Sequence, residues 1–248
     1  MCTRRLALFV LVATAAPVES QVVLTFQQGA GGYTGYQDSQ IRETMPTTVL
    51  TDNPGNPGQI RVDGEDGGGI VYGLLRFDGV FGTGPGQIPP GANITAATLR
   101  INLTEDSTGG IFNFHRMVAN WNDTNATWAF FGGNGIQIDG TEALATPDAT
   151  LGDGTALVAN GFQTASVLSS LRAWAAGSPN NGWNLREETA QSTDGILFSS
   201  AEDPTATLRP VLTVTFSPVP EPGVLVLTGL GLFGVAGYRR WRAKQHGA

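Results

Sequence analysis

Thr95-Ala96-Ala97-Thr98-Leu99-Arg100-Ile101-Asn102-Leu103-Thr104 sets the fold class. From Ala97 the alternation is strict. Ala97, Leu99, Ile101 and Leu103 face one way, and Thr98, Arg100, Asn102 and Thr104 the other, the period-two pattern of a strand with one buried and one solvated face. Upstream, Ile70–Phe77 is a nearly continuous apolar run, as expected of a central buried strand. Downstream, Ile111–Val118 alternates again, with Phe112, Phe114, Arg116 and Val118 opposed to Ile111, Asn113, His115 and Met117. Val22–Phe26, Gln40–Glu43, Thr47–Leu50, Gln59–Val62, Gly182–Glu188, Gly195–Ser200 and Leu208–Phe216 complete the strand signals. Phe81–Gly91 reads as a Gly/Pro loop and Gly132–Gly161 as a long, weakly patterned insertion. One helix is expected, Val167–Ala176, where Val167, Leu168, Leu171, Trp174 and Ala175 share a face and Gly177 follows as a stop signal. With 34 glycines and 14 prolines in 248 residues, short strands and turns are favoured over helices. The pattern predicts an all-β, antiparallel β-sandwich with one short helix, of roughly eight to ten strands. A jelly roll is the natural closed form, because it leaves little open edge.

The two ends differ from this middle. Met1–Arg5 carries Arg4 and Arg5, Leu6–Ala16 is apolar apart from Thr14, and Val18-Glu19-Ser20 suits cleavage after Ser20. Residues 1–20 therefore read as a secretory signal peptide, with signal peptidase as its processing enzyme. Cys2, the single cysteine, leaves with it, so the mature chain has no disulfide, cysteine nucleophile or thiolate metal site. The remaining ectodomain, residues 21–217, holds eight arginines, no lysine and nineteen carboxylates, a net charge of −11. Such a surface repels nucleic acid and suits divalent cations or neutral partners.

Beyond the ectodomain, Val219-Pro220-Glu221-Pro222-Gly223 precedes an uncharged apolar run, Val224–Tyr238, and then Arg239-Arg240-Trp241-Arg242-Ala243-Lys244. As a helix the run spans roughly 22 Å, somewhat short of a bilayer's ~20 residues. Trp241 and the arginines reach to the headgroups and make up part of the deficit. The basic cluster marks a cytoplasmic end. Two prolines keep Pro220-Glu221-Pro222 extended beside the membrane, where an enzyme can take it. The layout resembles the PEP-CTERM sorting signals of Gram-negative bacteria, on Val219, Pro220, Glu221, Pro222, the apolar helix, Arg239 and Arg240. The resemblance implies a sorting segment 218–248 (transmembrane 224–238, basic tail 239–248) that an exosortase recognises and removes. It also implies transient anchorage in the inner membrane, then delivery to the cell surface or extracellular matrix. A plain C-terminal membrane anchor is the alternative.

A second resemblance runs through the ectodomain. Gly35-Tyr36-Gln37-Asp38-Ser39-Gln40-Ile41-Arg42, Gly73-Leu74-Leu75-Arg76-Phe77-Asp78 and Pro89-Pro90-Gly91-Ala92-Asn93-Ile94-Thr95-Ala96-Ala97-Thr98-Leu99 look like the opening half of a DNRLRE-type domain. Trp121-Asn122-Asp123-Thr124-Asn125-Ala126-Thr127-Trp128 resembles its paired-tryptophan turn, and Asn181-Gly182-Trp183, Phe198–Glu202 and Arg209–Val214 its closing half. Such domains are similar to carbohydrate-binding modules with a jelly-roll fold. The resemblance implies a non-enzymatic module that contacts extracellular polysaccharide.

The chemistry-bearing residues agree with a non-enzymatic reading. His115 is the ectodomain's single histidine, which removes multi-histidine metal sites and leaves any Ser-His-Asp triad one candidate base. Glu105-Asp106, Glu187-Glu188 and Glu202-Asp203 are neighbours in sequence, and strand neighbours point to opposite faces. Asp63-Gly64-Glu65-Asp66-Gly67 offers Asp63, Glu65 and Asp66 as candidate Ca²⁺ ligands on a Gly-rich loop, or is a solvated acidic hairpin. Tyr33 and Tyr36, in a Gly-rich stretch, are the expected exposed pair for glycan contact, whereas Trp121, Trp128, Trp174 and Trp183 are expected in the core. Two functions remain open: a polysaccharide-binding surface module, or a structural surface or matrix protein with no specific glycan ligand.

Overall fold

The structure, a computed structural model, describes residues 20–64, 68–105, 107–108, 110–152, 156–157, 161–188 and 195–217. The predicted signal peptide (apart from Ser20) and the whole sorting segment lie outside the described residues. Among the described residues there are thirteen strands: β1 (Val22–Gln27), β2 (Tyr36–Arg42), β3 (Gln59–Val62), β4 (Val71–Phe77), β5 (Asn93–Leu103), β6 (Ser107–Thr108), β7 (Phe112–Arg116), β8 (Ala149–Leu151), β9 (Ala156–Leu157), β10 (Gly161–Ser166), β11 (Trp183–Glu187), β12 (Ile196–Ser199) and β13 (Val211–Ser217). One helix, α1 (Leu168–Ala175), lies between β10 and β11.

The strands form two antiparallel sheets and a small β6–β9 pair. Sheet A is organised on the long strand β5. Leu99 pairs with both Ala165 and Leu212, and Leu103 with both Gly161 and Phe198, so β10 takes one edge of β5 while β13 and β12 share the other. β1 lies outside β13 and β3 outside β12. Sheet B runs β2-β4-β11-β7-β8. Ala97, Leu99, Ile101 and Leu103 meet Leu75, Phe77, Phe114, Trp183 and Leu185 of sheet B in one core, the two-layer sandwich that the alternation of β5 predicts.

A second core lies on the outer face of sheet B. There Ile41, Tyr72, Leu74 and Met117 are covered by Trp121, Ala126, Trp128, Phe131 and Ile136 from the long stretch that follows β7. This explains why every residue of β4 is buried. The lid begins in the Trp121–Trp128 turn, and the stretch 132–161 expected as a weakly patterned insertion continues it with Ile136 and Ala143. That stretch carries few strand signals because it contributes single apolar anchors between turns.

Four strands, β6, β8, β9 and β10, are unexpected, β8 and β9 falling inside the stretch 132–161 read as an insertion, and the expected strands differ at two places. β2 starts at Tyr36 rather than Gln40, and Thr47–Leu50 is no strand, contributing one bridge from Leu50 to Gln40. Its early residues look too polar for a buried strand. Each is matched inside the fold: Asp38 Oδ2 accepts from Ala201 N, Ser39 Oγ donates to Leu50 O, and Gln40 Oε1 accepts from Arg61 N. Leu208 belongs to a 3-10 turn, Ala206–Leu208, and β13 begins only at Val211, since Pro210 lacks the N–H that a central strand needs. The helix occupies its expected segment, with Val167, Leu171 and Trp174 buried. It closes at Gly177 (φ +103°) through Gly177 N→Trp174 O and Ser178 N→Ala173 O, the paired bonds of a Schellman stop.

Candidate functional site

Tyr33 sits in the turn between β1 and β2, wedged against the core by an edge-to-face contact with Phe26 (5.3 Å) and a stacked one with Phe77 (6.3 Å). Its hydroxyl donates to Asp78 O at 2.9 Å. Burial, and then the charge of Asp78, push its pKa up. The ring remains partly exposed and lines two shallow clefts, one of about 310 Å³ with Thr34, Gly35 and Asp78, the other of about 260 Å³ with Thr25, Ala30 and Gln87. Beside it, Arg76 pairs with Asp78 (Nε–Oδ1 2.8 Å), and Gln37 Nε2 also donates to Asp78. Arg76 lies over the Trp121 ring and donates to Trp121 O and Asn120 Oδ1, tying the lid of the second core to the rim of the clefts. The arrangement leaves one half-covered aromatic face beside several backbone and amide groups.

Tyr36 is a correction. It is 3% exposed and packs on Phe77 at 4.6 Å, because it is the first inward residue of β2 and not part of the glycine turn. No sugar ring can stack on it there. Its hydroxyl lies close enough to Asp38 for that carboxylate to raise its pKa, after burial itself. Asp38 is 2% exposed, and its pKa is raised well above the carboxylate range, first by burial and then by the charge of Glu202. Glu202 is raised in the same direction, by its own desolvation first. This carboxylate pair is formed between β2 and the turn after β12, so no local pattern in the sequence announced it. Asp38 is too enclosed to reach a substrate, and it holds the 201–202 turn through Ala201 N at 2.9 Å.

The candidate calcium loop divides. Asp63 is buried and committed to Arg61, whose Nε donates to Oδ2 at 2.7 Å, while Glu65 and Asp66 lie outside the described residues. Among the described residues no group of three or more His, Cys, Asp or Glu side chains is arranged to hold a metal ion. His115 is buried with Nδ1 2.8 Å from Leu144 O, so the ring donates from Nδ1. Burial is the first cause that pushes its pKa down. The four tryptophans are buried, as expected. Trp183 Nε1 donates to Ser170 Oγ and Trp121 Nε1 to Asn181 O.

β13 ends at Ser217, paired on both sides by β1 and β5, and the sorting residues follow at once. Residues 218–240 match the PEP-CTERM protein-sorting motif. Val219, Pro220, Glu221, Pro222, Arg239 and Arg240 all fall within it, and all lie outside the described residues. The motif implies export, anchorage by the sorting signal, processing by an exosortase and delivery to the cell surface. No helix among the described residues is long and apolar enough to cross a membrane, and the predicted span 224–238 is outside them. A comparison with curated proteins finds no match to the chain.

Proposed function

We propose that the domain carried by this PEP-CTERM signal is a non-enzymatic surface module of a Gram-negative-type bacterium that associates with extracellular polysaccharide. The observation that carries the reading is the seam at residue 218. The motif begins where the last described strand ends, so every described core residue lies upstream of the segment to be removed. The DNRLRE-type resemblance, with its jelly-roll implication, and the half-exposed Tyr33 between two clefts support the polysaccharide part. The single histidine of the ectodomain, His115, and the enclosure of Asp38 favour binding over catalysis. Asp63 is already paired, which disfavours calcium as an obligatory bridge.

Replacing Glu221 by Ala tests the sorting part: the precursor should accumulate in the membrane fraction, and release at the wild-type rate overturns it. A panel of neutral glucans, mannans and galactans with alginate, with and without chelator, tests the binding part. The second reading, a structural surface protein without a glycan ligand, draws on Tyr33 itself, whose hydroxyl and much of whose ring are already used inside the fold. Normal folding with no binding to any polymer would select it.

A further inference from the structure

The two sheets present different outer faces. That of sheet B is sealed by the second core, while that of β1, β13, β5 and β10 in sheet A is open. The registers place its outward residues in rows. Thr25, Thr213, Thr98 and Ser166 stand side by side across four strands. At ~4.8 Å between strands they make a line of four hydroxyls about 14 Å long. The row above is Val23, Thr215 and Ala96, and in the row below Arg100 stands beside Thr164. Rows on one face are roughly 7 Å apart along the strands. Phe162 is 45% exposed at the end of this face, with the Arg100 guanidinium 4.2 Å over its ring.

The charge pattern is what singles this face out. None of the four strands contains an acidic residue, although the ectodomain carries nineteen carboxylates. A sheet face left merely to water usually carries charges of both signs, which also guard against edge and face association. Here the single charge is Arg100. Among the described residues its guanidinium makes no hydrogen bond or ion pair, whereas the other ectodomain arginines each bond an oxygen within the fold. Its donors are therefore free, its plane is held by Phe162, and no carboxylate on these strands competes for them.

We propose that this face is the docking surface for an extended, uncharged polysaccharide chain, laid across β1, β13, β5 and β10. The hydroxyl rows exchange hydrogen bonds with sugar hydroxyls, Phe162 supplies an apolar ring edge, and Arg100 donates to ring or hydroxyl oxygens. The fit is one of charge: a neutral polymer loses nothing to the −11 domain, while a polyanion is repelled by all but this face. The inference rests on the polysaccharide reading above and moves its site from the Tyr33 clefts to sheet A.

The test uses the full-length chain in neutral detergent, run by native affinity electrophoresis through gels containing each polymer of the same panel. Thr98→Glu and Ser166→Glu place a carboxylate in the hydroxyl row at exposed positions, and near-UV circular dichroism confirms the fold of each. Retardation by a neutral polymer is expected to weaken at least tenfold in both. Wild-type retardation by a neutral polymer that persists unchanged in both Glu variants overturns the docking face while leaving the polysaccharide reading intact. Retardation by alginate alone overturns the uncharged occupant. No retardation of the wild type by any polymer overturns the polysaccharide reading, and the docking face with it.

Discussion

Sheet B is buried on both faces along its strand β4, whereas the outer face of sheet A is left to solvent over β1, β13, β5 and β10. The contrast shows in neighbouring aromatics. Trp121, outside sheet B, is 1% exposed and bonded at both ends of its indole environment, by its own Nε1 to Asn181 O and by Arg76 over its ring. Phe162, outside sheet A, is 45% exposed and touches one guanidinium. The same residue class thus serves as an anchor on one sheet and a surface group on the other. A domain of this size has enough chain to lid one outer face. The face it leaves bare carries hydroxyls instead of the acids found elsewhere.

The sharpest way to break this comparison is Trp121→Ala. Loss of a buried indole with its partners should cost about 3–5 kcal/mol and lower Tm strongly, as read by thermal denaturation. A change of less than ~1 kcal/mol would mean that the lid is not a true second core. Next comes Gly135→Ala, which asks how tightly the lid is seated. Gly135 holds φ +70°, and an added Cβ would lie 2.7 Å from the Trp128 ring. Strain and overpacking together should cost roughly 1–3 kcal/mol. An unchanged Tm would show the lid free to shift away.

Asp38→Asn tests the polar seam of β2, where sheet B meets the turn after β12. The Asp38 carboxyl is held above its ordinary range, so the native state keeps its proton more firmly than the unfolded chain does. Its contribution is complete below about pH 4 and is lost as pH rises through the raised value. The wild type should therefore lose stability over that interval relative to the Asn variant, whose side-chain oxygen still accepts from Ala201 N. His115 acts in the opposite sense, since burial lowers its pKa and its contribution fades as pH falls, but it is common to both proteins. Parallel Tm–pH curves would remove Asp38 as the cause. The smallest effect belongs to Phe162→Ser on the open face, which should change stability by no more than ~0.5 kcal/mol. A larger loss would mean that sheet A, too, depends on its outer surface.

The strands with regular alternation were readable from the chain alone. β5, β4 and β7 stand within a few residues of their expected spans, and α1 follows its apolar stripe. β2 was half-hidden because Asp38, Ser39 and Gln40 are polar, and what makes them tolerable inside are partners at Ala201, Leu50 and Arg61, remote in sequence. The same remoteness hid the Asp38–Glu202 pair and placed Tyr36 wrongly. A glycine-rich stretch predicts a turn, but the residue at which it becomes a strand is decided by Phe77 across the sheet.

The sequence by itself determined the β-rich class, the single helix, the acidic balance and the sorting motif, because each is written in local periodicity, composition or contiguous residues. Only the tertiary structure decided which sheet face is covered, which tyrosine meets solvent, which arginine makes no hydrogen bond or ion pair among the described residues, and that four hydroxyls stand in line. The physical reason is that strand registers, turn closures and the fold of the lid bring together side chains far apart along the chain, and burial is a property of those meetings rather than of any one residue.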